Sequence, residues 1–192
     1  VKPDCDRVEV LMRGKPLVGK MRAGWRAVPL DPQTRGFASQ MLAPAGGWYT
    51  VEIRALKDKQ VVAQAAVEKV GVGEVFVGAG QSNSTNCGQE KIAQTSGMVS
   101  SFSGSAWQLA DDPQPGAHDR TTGGSFWPAF GDAMHEKYRV PIGVAVTGHG
   151  GTSINEWQPG SELFNWTMLR IHQLGRFGFR AVLWHQGESD VN

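Results

Sequence analysis

The sequence predicts an α/β protein, a parallel β-sheet flanked by helices and preceded by a small antiparallel β-sandwich. Two observations carry the prediction. From residue 74 onward, short apolar runs alternate with stretches of helical spacing, which is how a parallel sheet crossed by helices is written in sequence. Before residue 70 the runs are short, largely alternating and rich in β-formers, with turn clusters between them. The expected division is therefore a β-rich domain over 1–70 and an α/β domain over 71–192.

The elements follow in order. Residues 8–12, 48–54 and 61–67 read as strands, divided by turn clusters at Arg13-Gly14-Lys15-Pro16 and Pro44-Ala45-Gly46-Gly47. Residues 74–79 form a short apolar strand ending in a glycine-flanked turn. The stretch 82–124 is rich in Ser, Gly, Asn and Asp with weak periodicity, and is expected to be irregular structure around a site. Residues 126–138 show helical spacing at Phe126, Phe130, Ala133 and Met134, with Pro128 in the first turn. Residues 140–147 are an apolar strand, and residues 163–177 a helix through Leu163, Trp166, Leu169, Ile171 and Leu174. Residues 179–184 are expected to be a further buried strand.

Composition narrows the partners. Nineteen Lys and Arg nearly balance eighteen Asp and Glu, so a net charge of +1 makes no electrostatic case for nucleic acid. No apolar run approaches the roughly 20 residues that span a bilayer, and no secretory leader opens the chain, which begins with Val1 rather than Met. Cys5 and Cys87 have no metal-ligand spacing and suit either two free thiols or one disulfide. No metal spacing unites the five histidines. Two glycosylation sequons occur, at Asn83-Ser84-Thr85 and Asn165-Trp166-Thr167.

In open α/β sheets ligands bind outside the carboxyl ends of the strands. Three predicted strands end in polar or glycine-rich turns: Gly80-Gln81-Ser82-Asn83, Gly148-His149-Gly150-Gly151-Thr152-Ser153, and His185-Gln186-Gly187-Glu188-Ser189-Asp190. Parallel strands bring such turns to one edge, and each carries a part that acyl transfer needs. Ser82 supplies a hydroxyl on a tight turn. The glycine pair supplies free N–H groups for developing negative charge, and the Gln186 amide is a second kind of oxyanion donor. The nucleophile elbow Gly-x-Ser-x-Gly is absent. Taken singly, each motif reads as an ordinary turn or cap; their joint occurrence, each after a strand, carries the inference.

These motifs, with Ile154, Glu156 and Trp157, resemble those of the SGNH-hydrolase branch that contains sialate O-acetylesterases and related acetylxylan esterases. The resemblance runs from about residue 74 to the end of the chain and implies an SGNH-type, flavodoxin-like sheet. It implies that Ser82 is the nucleophile. The oxyanion hole would comprise the Ser82 N–H, the Gly151 N–H with Gly150 as rival, and the Gln186 amide. Gln81, Asn83, Gly150, Thr152, His185 and Glu188 would line or support the pocket, and the substrate would be an acetylated carbohydrate, cleaved without a metal or organic cofactor. A glycan on Asn83 would obstruct that site, so the sequon is expected to be unused. A bacterial, secreted or periplasmic setting is expected.

In that branch the catalytic Asp and His come from an Asp-x-x-His motif downstream of Gln-Gly-Glu, and no such motif follows Glu188 within these 192 residues. The expectation is that a missing C-terminal segment or a second chain supplies them. Within the chain, Asp132-Ala133-Met134-His135 spells the motif but precedes the glycine pair. His149 and His185 sit on site-forming turns, His118 lies beside Asp119 in the irregular stretch, and His172 reads as an ordinary helix residue. Glu188 and Asp190 suit support of the Gln186 turn. Two alternatives stand beside the esterase. One is a non-catalytic carbohydrate-binding module, with Trp25, Trp48, Trp107 and Trp157 as possible sugar platforms; the other is a lipase or thioesterase of the same fold.

Overall fold

The computed structural model describes residues 4–191, in two compact units, Val1–Val72 and Gly73–Asn192.

The first unit is one four-stranded antiparallel sheet of order β2-β1-β3-β4. Its strands are β1 (Arg7–Arg13), β2 (Arg26–Val28), β3 (Gly46–Lys57) and β4 (Gln60–Val72). Asp58 and Lys59 both take positive φ between β3 and β4, the two-residue hairpin turn whose twist matches the strands it joins. Cys5, Val8, Val10 and Val28 form the core, with Leu30, Val51, Ile53 and Ala55 packed against it. The expected sandwich is thus corrected to a single sheet. A second sheet would have to come from residues 14–45, which supply only the three residues of β2 and isolated bridges at Pro16–Gly46 and Leu30–Phe37.

The second unit is a five-stranded sheet of order β7-β6-β8-β5-β9. It comprises β5 (Glu74–Gly80), β6 (Val99–Phe102), β7 (Trp107–Leu109), β8 (Ile142–Val146) and β9 (Ala181–His185), with helices α1 (Trp127–Tyr138) and α2 (Glu162–Leu174). Strands β6, β8, β5 and β9 run parallel, and β7 is antiparallel to β6. The stretch 82–124 is therefore less irregular than its composition suggests. It contributes the hairpin β6–β7 to the outer side of β8, and Ser100 and Ser101 hide β6 from a hydrophobicity pattern.

The chain leaves β5 in the middle of the sheet, pairs with it on one side as β8, and returns to pair on the other side as β9. Right-handed crossovers in opposite directions place their helices on opposite faces. Alternation along β5 agrees: Phe76 packs with Phe130 and Met134 of α1, and Val77 with Ile171 and Leu174 of α2. Strand order reverses at β5, so a crevice opens outside its carboxyl end, where Gln81 and Ser82 stand.

Pro128 lies in the first turn of α1, which ends at Arg139 in left-handed conformation. Ser161 caps α2 by accepting a hydrogen bond from the Phe164 N–H at 3.3 Å. Strand β9 is an edge strand, with Val182 44% and Trp184 47% exposed, which corrects the expectation of a buried one. Among the described residues no helix is long and apolar enough to cross a membrane. Both cysteines are free thiols.

Candidate active site

The carboxyl ends of β5, β8 and β9 carry the three turns, and a network of hydrogen bonds ties them together. Gly80 makes the first junction possible. Its φ of +120° suits glycine, and a Cβ there would lie 1.9 Å from the His185 carbonyl oxygen. That close approach lets the Gln81 N–H donate to the His185 carbonyl at 2.9 Å, while the Gly80 carbonyl accepts from the His149 N–H at 2.9 Å. The end of β5 is thereby laced to both neighbours.

Ser82 opens a single 3₁₀ turn, Ser82–Ser84. The turn is held from beneath. Trp127, fully buried, donates its indole N–H to the Ser84 carbonyl at 3.0 Å, and the Ser84 hydroxyl donates to the Gln81 carbonyl at 2.7 Å. Among the described residues, neither the Ser82 N–H nor its hydroxyl has a hydrogen-bond partner. Asn83 donates its amide to Glu188, whose carboxylate also meets His185 Nε2 at 2.9 Å. The Glu188 N–H, the Asn83 amide and His185 outweigh desolvation and hold the Glu188 carboxyl below its ordinary 4.5.

The glycine turn passes beside the serine, since a Cβ on Gly150 would lie 3.6 Å from that of Ser82. The two glycines differ. The Gly150 N–H donates to Asp119 Oδ2 at 2.7 Å, whereas the Gly151 N–H finds no acceptor among the described residues. Gly151 has φ +72° and open space where a Cβ would stand. Thr152 is buried; its hydroxyl donates to the His149 carbonyl at 2.8 Å and accepts from the Trp157 indole N–H at 3.0 Å. Ser153 and Glu156 form a capping box over the short 3₁₀ turn Ile154–Trp157.

The Gln186 side chain reaches from the third turn to the other two. Its amide nitrogen lies 2.6 Å from the Thr152 carbonyl, 2.8 Å from Asp190 Oδ2 and 3.3 Å from Gln81 Oε1. Two amide hydrogens thus face three acceptors, and none is spare. Gln81 is buried, and its side-chain oxygen also accepts from the Ser189 N–H at 3.0 Å.

Asp119 is the residue that sequence reasoning undervalued. The sequence notes it only as the neighbour of His118 in an irregular stretch, yet it binds the glycine turn and reaches Thr85 of the serine loop at 3.3 Å. Burial acts to raise its pKa. The Thr121 hydroxyl and N–H, the Gly150 N–H and the Thr85 hydroxyl outweigh it, and the carboxyl is held below its ordinary 3.8. His118 also lies here rather than on a free surface loop: its Nδ1 is 2.7 Å from that of His149, and its Nε2 is 3.2 Å from Glu162.

The other candidates lie in structural roles. Asp132 receives N–H and hydroxyl donors from Thr95 and Ser96, and His135 meets the Val140 carbonyl, so that Asp-x-x-His is spent in anchoring α1. His172 is an exposed helix residue. Trp25 packs under the Arg54 guanidinium, and Trp157 is buried edge-on to Trp184. Among the described residues no three His, Cys, Asp or Glu side chains gather as a metal-ligating group. The cleft at the opposite end of β5, between Glu74, Val75, Phe179 and Arg180, holds a Glu74–Arg180 ion pair and no nucleophile.

Residues 72–192 match the family model described as carbohydrate esterase, sialic acid-specific acetylesterase. The chain belongs to that family. All three turns fall inside the matched region. A probable carbohydrate esterase of Arabidopsis thaliana is 38% identical over 68 residues, 33% of this chain and 26% of the relative. The crystal structure of the protein from the same Arabidopsis locus superposes with a TM-score of 0.52 at 24% identity, over 62% of this chain and 58% of that one. A carbohydrate acetylesterase from Xanthomonas citri gives 0.54 at 21% identity, over 95% of this chain and 45% of that one. At these identities the structural likeness speaks for the fold. The chain spans between about a quarter and three-fifths of the length of these carbohydrate-esterase relatives.

Proposed function

We propose that the chain carries the nucleophile and oxyanion parts of a serine carbohydrate O-acetylesterase. The observation that carries this reading is Ser82 at the strand-order reversal, on a turn braced from below, with its N–H and that of Gly151 both without an acceptor among the described residues. Membership of a carbohydrate acetylesterase family supplies the substrate class.

In this reading the Ser82 oxygen attacks the acetyl carbonyl carbon while a base takes its proton. The carbonyl oxygen becomes an oxyanion that accepts the Ser82 and Gly151 N–H groups. Collapse expels the sugar oxygen, which leaves as a hydroxyl with the proton the base returns. Water then cleaves acetyl-Ser82 by the reverse proton path and releases acetate. The Gln186 amide joins the oxyanion site when one of its hydrogens leaves Asp190 or Gln81. The base and its partner acid come from an Asp-x-x-His in a further segment or a second chain. The second unit then reads as the first part of an SGNH-type sheet, with β8, β5 and β9 as its parallel core.

Ser82→Ala in the full-length polypeptide tests the reading. Turnover of acetylated sugars and of 4-nitrophenyl acetate should fall by about 10⁴-fold or more with an unchanged melting temperature. A serine-directed fluorophosphonate should label the wild type at Ser82. Undiminished turnover in Ser82→Ala refutes the assignment. Sugar binding with no turnover by the full-length wild type would favour the non-catalytic binding module.

A further inference from the structure

The geometry points to Asp119 as the positioning residue that selects Gly151, rather than Gly150, as the oxyanion donor. This inference rests on the esterase reading above and adds to it a residue outside the three motif turns.

The argument is an accounting of backbone donors, since each N–H in a turn must find a partner or remain available. Five successive N–H groups run along the glycine turn from Gly150 to Ile154. Gly150 donates to Asp119 Oδ2 at 2.7 Å, Ser153 to Glu156 Oε2 at 2.7 Å and Ile154 to Asp190 Oδ1 at 2.8 Å. Among the described residues only the Gly151 and Thr152 N–H groups find no acceptor. Thr152 is buried, whereas Gly151 is exposed, so Gly151 alone offers a donor that a ligand can reach. Gly150 lies beside Ser82, where a Cβ on it would stand 3.6 Å from that of Ser82, so without Asp119 the Gly150 N–H would be the competing donor.

Asp119 is built for this task. Its second oxygen is held by the Thr121 N–H at 3.1 Å and the Thr121 hydroxyl at 2.7 Å, which fix the plane of the carboxylate. Oδ2 also lies 3.3 Å from Thr85 Oγ1, and Thr85 Oγ1 is 3.2 Å from the Ser82 carbonyl oxygen. The same carboxylate thus touches the glycine turn and the loop of the serine. Charge-assisted hydrogen bonds of this kind are the short, strong ones.

The test uses the full-length polypeptide, catalytic Asp and His included. Asp119→Asn keeps the size of the side chain but must turn an amide N–H₂ toward one set of donors. We expect kcat for 4-nitrophenyl acetate to fall about 10- to 100-fold with KM little changed, the mark of an interaction made in the transition state. Asp132→Asn is the control, because Asp132 also anchors a loop through four donors but lies in α1; it should lose stability and keep kcat. A wild-type kcat in folded Asp119→Asn, beside an inactive Ser82→Ala, overturns this inference alone. An active Ser82→Ala overturns the esterase reading and this inference with it. Amide exchange in wild-type protein labelled with ¹⁵N-glycine covers the case in which the variant fails to fold. Gly150 should be protected and Gly151 should exchange freely, and equal exchange rates refute the selection.

Discussion

Replacing Gly80 and Gly151 in turn by alanine separates a glycine that lets strands meet from one that aims a donor. At Gly80 the new Cβ would stand 1.9 Å from the His185 carbonyl oxygen, at φ +120°. Relief requires β5 and β9 to part there, and the 2.9 Å bond from the Gln81 N–H to that carbonyl goes with them. Backbone strain of about 1–3 kcal/mol, a lost hydrogen bond of about 1 kcal/mol and overpacking of about 1–3 kcal/mol sum to roughly 3–7 kcal/mol. That is a large share of the roughly 5–15 kcal/mol of a typical domain. At Gly151 nothing stands within 4 Å of the new Cβ, and the cost is the left-handed conformation alone, about 1–2 kcal/mol. Thermal unfolding followed by circular dichroism should place Gly80→Ala at least about ten degrees below wild type. Gly151→Ala should melt within a few degrees of wild type while its turnover in the full-length polypeptide falls, because relaxing φ re-aims the N–H. A Gly151→Ala variant that melts as low as Gly80→Ala refutes this accounting, and so does a Gly80→Ala variant that melts like the wild type.

Three further outcomes follow from the same geometry. Because Asp119 is held below its ordinary 3.8 in the folded state, its bonds stabilise the protein above that pH and are lost as pH falls through the lower folded value. The stability gap between wild type and Asp119→Asn in urea unfolding should therefore be full at pH 6 and shrink as pH falls below about 4. Trp127→Phe removes a fully buried indole N–H and leaves the Ser84 carbonyl unpaired; it should cost about 2–4 kcal/mol by the same measurement. Arg180→Ala breaks the ion pair with Glu74 at the far end of β5, but the guanidinium is solvent-exposed, and melting temperature and turnover should stay nearly unchanged.

Strands β5, β8 and β9 and both helices were legible because each repeats one signal. Residues 142–146 are apolar throughout, as a strand covered on both faces requires, and α1 and α2 carry apolar side chains at helical spacing. Strand β6 was not legible. Its middle residues are serines, and Ser101 is buried with an unpaired hydroxyl; tertiary pairing with β8 overrides weak local preference. The single sheet of the first unit was missed for a related reason. Strand patterns mark one buried face but do not say what covers it, and residues 14–45 cover it with loops rather than strands.

The candidate site divides along the same line. The placement of Ser82, the glycine pair and Gln186 at one edge of the sheet was legible because each lies directly after a strand, so sequence position sets its place in space. Asp119 lies 31 residues before its partner Gly150 and stands ten residues beyond the end of β7 rather than directly after a strand. Nothing local distinguishes it from any loop aspartate, and its role exists only where the folded chain brings the serine loop and the glycine turn to the same carboxylate. The Asp-x-x-His inside α1 shows the converse. Asp132 and His135 have the right spacing for a catalytic pair, but spacing within one helix fixes only a shared face. That face is occupied by Thr95, Ser96 and the Val140 carbonyl. Chemistry-bearing spacing is therefore informative here where a strand end fixes the direction of the chain. Elsewhere the donor accounting of the folded turn has to do the selecting.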